Sequence, residues 1–233
     1  MTLIASPTEI TTSATDAVLA IECAVILAYL WQTQTGDRWR IGLWCWALGL
    51  LAFASVLGSV THGLEMPQSL RAALWKPLYL SLGFLVALFL VGAVFDWHGH
   101  VVASRLVPWS IGLGGTFFGL TELFDGGFII FLVCEGAAMA GALAIYSFLA
   151  ATHRLRGAGV VATAISLNLA AAAVQASSVS FEIFVPFDHN GVFHLVQMVA
   201  LATLGLGLRL GTAPTPNLRA ASQAGPQWFP VNG

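Results

Sequence analysis

The sequence predicts an all-α integral membrane protein, a bundle of seven transmembrane helices, and three observations carry that prediction. Of the 233 residues, 58% are hydrophobic and only 9% are charged, against roughly 25% charged in an ordinary soluble domain. Apolar runs of about 20 residues recur, each long enough at about 1.5 Å per residue to cross a hydrocarbon core of about 30 Å. Short polar breaks hold most of the charges and carry Gly or Pro to end helices: TQTGDRWR, EMPQSLR, DWHGH, ELFDGG, THRLRG and VPFDHNG. A water-soluble fold is excluded, and with a formal net charge of −2 nothing points to a nucleic-acid partner.

The first run covers residues 14–34. The segment before it lacks a basic start and a cleavage site, so this run reads as a retained helix and not as a signal peptide. The second and third cover residues 41–63 and 72–95. The fourth, 102–121, carries Gly112, Gly114, Gly115 and Gly119, which read as points of close approach to a neighbouring helix. Ala137 and Gly141 offer a similar contact on the fifth run, 128–151. The sixth and seventh are placed at 158–184 and 192–210. Residues 1–210 thus form one domain, and the Pro-containing, small polar tail 211–233 has no helical period and reads as disordered. Cys23, Cys45 and Cys134 all lie in apolar runs and suggest no disulfide framework.

Basic residues near the ends of membrane helices stay on the cytoplasmic side. Arg38, Arg40, Arg105, Arg154, Arg156, Arg209 and Arg219 fall on one side of the alternating path, leaving Arg71 and Lys76 opposite. The N-terminus is therefore expected outside and the C-terminus in the cytoplasm. The acids segregate the other way: Glu9, Asp16, Glu22, Glu65, Glu122, Asp125, Glu135, Glu182 and Asp188 lie in the outer half, with Asp37 and Asp96 inside.

Alternating the helices brings a set of polar residues to similar depth, within roughly 12 Å of the outer surface. They are Glu22 on the first helix, Ser55, Ser59 and His62 on the second, Lys76 on the third and Glu135 on the fifth, then Gln175, Ser178 and Glu182 on the sixth and His194 and Gln197 on the seventh. Helical spacing puts Ser55, Ser59 and His62 on one stripe, and Asn168, Gln175, Ser178 and Glu182 on another. Ionisable groups are costly in hydrocarbon, so the stripes are expected to face one another around an outward-opening cavity. The bland readings stand beside this one. Lys76 can snorkel to the headgroups, His62, His189 and Glu182 can be interfacial, and the Ser, Asn and Gln residues can be packing contacts. His62, His189 and His194 suggest zinc, since three imidazoles plus water is an open catalytic arrangement. His189 and His194 reach one ion only if His189 precedes the helix, with Asn190 as its cap.

The stretch SVLGSVTH, ending in His62, and the segment DHNGVFHLVQ, opening the seventh helix, resemble the superfamily of alkaline ceramidases and adipoQ-type receptors. TDAVLAIE and HNGVFHLVQM look like its small bacterial members, which implies a bacterial inner membrane. The resemblance implies a zinc site held by His62, His189 and His194, with Ser55 or Ser59 near the metal, and hydrolysis of a lipid amide or ester. The chain departs from the family pattern in three places: the histidine pair of the seventh helix is five apart instead of four, Gly58 stands where the serine is usual, and the third run, 72–95, holds no aspartate. On this reading Glu22, Glu135 or Glu182 manages the proton and Lys76 stabilises an oxyanion. Two other readings compete: a non-catalytic membrane subunit that binds a partner helix, a pigment (haem held by His62 and His194 included) or a lipid, and a carrier of a small cation or proton.

Overall fold

A computed structural model describes residues 2–33, 36–124 and 127–212, the side chains of Gly127 and Phe128 excepted. In chain order it contains α1 (Pro7–Gln32), α2 (Arg38–Gly63), α3 (Gln68–His98), α4 (His100–Leu123), α5 (Gly127–Ala151) and α6 (Ala158–Gln175). A hairpin of β1 (Phe181–Glu182) and β2 (Pro186–Phe187) follows, then α7 (His189–Thr212). All seven helices are long and apolar enough to cross a membrane. Gln34, Asp125, Arg219 and the tail from residue 213 onward lie outside the described residues.

Local chemistry sets the helix ends, and several differ from expectation. Helix α1 starts seven residues before the expected position, because Ser6 caps it: its hydroxyl accepts from Glu9 N at 3.5 Å, with Pro7 in the first turn. Asp37 caps α2 by accepting from Trp39 N (2.8 Å) and Arg40 N (3.2 Å). The sixth helix is shorter than expected. It ends at Gln175, where Ser177 turns its hydroxyl on the backbone, donating to Val174 O at 2.6 Å and accepting from Val179 N at 3.1 Å. Ser178 and Glu182, expected on that helix, are exposed in the turn and in β1. The hairpin pairs Phe181 with Phe187 and Glu182 with Pro186, and the two phenyl rings stack at 5.2 Å. Asp188, and not Asn190, caps α7, accepting from Gly191 N at 3.0 Å.

Short connections turn each helix back on the one before, so the starts of α1, α3, α5 and α7 share one end of the bundle with the hairpin. We call this the upper end. The closest pairings are α1 with α2, α6 with α7, α3 with α4, and α2 with α3. The main core gathers Leu19, Cys23, Trp44, Phe89, Tyr146 and Leu208 in mid-bundle. At the lower end Arg40 donates to both oxygens of Asp96 (2.5 and 2.9 Å), and Tyr146 donates to Asp96 Oδ2 at 2.8 Å, tying α2, α3 and α5. The exterior is apolar: Trp46, Trp109 and Val133 are 72%, 77% and 65% exposed.

The small residues pack more selectively than expected. A Cβ on Gly114 would come 2.5 Å from Phe84, so α3 and α4 need a glycine there, whereas Gly112, Gly115 and Gly119 meet nothing within 4 Å. On α5 the buried small residues are Ala138 and Ala142, while Ala137 and Gly141 are exposed.

Candidate functional site

The upper half of the bundle encloses a chamber of about 350 Å³ lined from every helix except α4. Its polar part comes from Asp16 of α1, His62 of α2, Gln175 of α6, and His189, Asn190, His194 and Gln197 of α7. Its other wall is aromatic and aliphatic. Trp75 stacks on Tyr79 at 5.6 Å and meets the His62 ring edge-on at 5.7 Å, and Leu82 and Phe131 close the side toward α5.

Asp16 reaches this chamber through Gly58. A Cβ on Gly58 would stand 2.5 Å from Asp16 Oδ2 and 2.9 Å from its Cγ, so the carboxylate occupies the space that any larger residue would fill. The glycine that breaks the expected serine pattern is thus the opening through which α1 supplies an acid. Asp16 is buried, and its Oδ1 lies 3.5 Å from Nε2 of His194.

Hydrogen bonds hold two of the chamber imidazoles through Nδ1. Thr15 has one hydroxyl proton, in reach of the carbonyls of Thr11 (3.0 Å) and Thr12 (2.9 Å). The same oxygen lies 2.9 Å from Nδ1 of His194, a hydrogen bond whose direction follows the tautomer of the ring. The Glu9 carboxylate accepts from Nδ1 of His62 at 2.7 Å. The 3.5 Å between Nε2 of His194 and Asp16 Oδ1 places the buried acid and the ring within reach of one shared proton.

The other expected residues separate from this group. Lys76 pairs with Glu122 of α4, away from the chamber. Ser59 faces α1: its carbonyl accepts from the Ser13 hydroxyl at 2.7 Å. Neither Ser55 nor Glu22 lines the chamber. Glu135 belongs to a deeper cavity that meets the chamber at Gln197.

The three-histidine zinc centre does not fit. The first residue of α7 is His189, so it stands about 140° around the helix from His194. Among the described residues no group of three or more His, Cys, Asp or Glu side chains is placed to hold a metal ion. Sequence reasoning missed Asp16 and Glu9 as site residues. The signal that would have found them is SPTE, a Ser and a Glu three apart around a proline, which marks a helix start before residue 14 and sets Asp16 about 14 Å down α1.

Residues 11–213 match a family of unknown function (DUF6962). The chain belongs to that family. No curated protein and no solved structure matches it. The DUF6962 region takes in every residue that lines the chamber, from Asp16 to Gln197.

Proposed function

We propose that the chain is an integral membrane protein, with its N-terminus outside and its C-terminus in the cytoplasm of a bacterial inner membrane, and that its upper chamber binds a membrane lipid. One observation carries the lipid reading: six helices converge on a cavity that is polar on one side and aromatic on the other. A second cavity of about 390 Å³, almost wholly apolar, lies between α3, α4 and α5 and shares Leu82 and Phe131 with the chamber. A headgroup fits the first and a hydrocarbon chain fits the second. Asp16, His62 and His194 on the polar wall offer hydrogen-bond partners to a headgroup with a hydroxyl, amide or ammonium. Basic residues at the lower helix ends, Arg38, Arg105, Arg154 and Arg209, support the orientation.

The test is mass spectrometry of lipid retained by the detergent-purified protein. Wild type should keep a stoichiometric amphiphile that Asp16→Ala and His194→Ala release. Equal retention by all three, or none by wild type in mild detergent, overturns the reading.

A second reading, hydrolysis of an amide or ester within that lipid, is favoured by the two imidazoles, His62 and His194, on the chamber wall. Either ring can take a proton from water as it adds to an acyl carbon and return it to the departing amine or alcohol. Release of free fatty acid from an N-acyl or O-acyl lipid, lost in His194→Ala, distinguishes turnover from binding. Descent from the alkaline ceramidase and adipoQ-receptor superfamily is a separate proposal, supported by the way SVLGSVTH and DHNGVFHLVQ both feed residues into the chamber.

A further inference from the structure

Below the chamber, Glu135 of α5 is only 7% exposed. Its Oε1 accepts from Asn168 Nδ2 at 3.0 Å, while Oε2 has no partner. Glu135 lines two cavities. One is the apolar slot between α3, α4 and α5, and the other is a central cavity of about 80 Å³ bounded by Trp44, Phe89, Met139, Asn168 and Gln197. Helices α2, α3, α4, α6 and α7 contribute no Lys, Arg, His, Asp or Glu to the walls of either, and the one other titratable group there is Cys134 on α5 itself.

An ionised carboxylate in such surroundings would keep one oxygen unsatisfied and no counter-charge. A metal cation is a poor remedy, because hard cations take six or more oxygens and the central cavity offers only Glu135 and the amides of Asn168 and Gln197. A proton on Oε2 removes the charge and turns the orphan acceptor into a donor. The central cavity exceeds the ~15 Å³ that a water needs, so that donor has a partner. Gln197 lines this cavity and the upper chamber alike, which gives the proton a way out.

We propose that Glu135 is a proton-binding site, occupied as a neutral carboxylic acid and exchanging with the upper chamber past Gln197. It does not depend on the ligand of the chamber. Infrared spectroscopy of the protein in lipid at neutral pH tests it through the carbonyl stretch of a protonated carboxyl, which lies above the amide band. The stretch should be present in wild type, shift on transfer to D₂O, disappear in Glu135→Gln and move but persist in Glu135→Asp. Gln197→Leu should retain the band and delay its deuterium shift. A spectrum that Glu135→Gln leaves unchanged overturns the proposal, as does loss of the band when Na⁺ is added, which would make this a cation site. A deuterium shift as fast in Gln197→Leu as in wild type overturns the exchange route.

Discussion

Replacing Gly58 by alanine tests the opening through which Asp16 enters. The new Cβ would lie 2.5 Å from Asp16 Oδ2, whereas ordinary contact begins at 3.4 Å, so the carboxylate or α1 must give way by about 0.9 Å. Overpacking of that kind costs about 1–3 kcal/mol. Alanine also gains up to about 1 kcal/mol over glycine in a helix, which partly masks the clash. Gly42, on the same helix, supplies the correction, since a Cβ there meets nothing within 4 Å. The assay is the folded fraction against rising SDS in mixed micelles. Gly42→Ala should be neutral or stabilising and Gly58→Ala destabilising, the difference between them being the clash. In an Asp16→Ala background the carboxylate is gone and the Gly58→Ala penalty should disappear, a coupling of about 1–3 kcal/mol. If Gly58→Ala costs the same with and without Asp16, the steric argument is wrong.

Breaking the lower network by Arg40→Leu strands a buried carboxylate and should cost about 3–5 kcal/mol, with much of the loss recovered in the double variant Arg40→Leu, Asp96→Leu. The same SDS titration measures it. Asp188→Ala removes the α7 cap and should cost about 1 kcal/mol, with faster hydrogen exchange at the amides of Gly191 and Val192. Lys76→Met loses only an ion pair whose lysine is 54% exposed, an effect of at most about 1 kcal/mol, and should leave lipid retention intact. Dialysis against a chelator should likewise leave retention unchanged, measured by the same lipid mass spectrometry.

The seven helices were legible because an apolar run of bilayer length is a strong signal that needs no partner. Their ends were not, since these depend on single side chains such as Ser6 and Asp188. The sixth run was extended too far because hydropathy does not separate helix from strand. Val179, Phe181, Ile183 and Val185 are apolar but favour extended backbone. For the site, spacing gave depth but not azimuth. His62 and His194 both line the chamber, while Lys76, expected at similar depth, turns to Glu122 on a neighbouring helix. Asp16 was lost because a helix start set seven residues late made a deep acid look interfacial.

The clamp of Arg40, Asp96 and Tyr146 also bears on how the helices hold to one another. Arg40 gives two donors to Asp96 and one to the Leu208 carbonyl, 3.5 Å from its Nη1, and Tyr146 adds a fourth bond at Asp96, so α2, α3, α5 and α7 meet in one network. The lower end is thereby cross-tied through four helices, by a network that the loss of Arg40 alone would open.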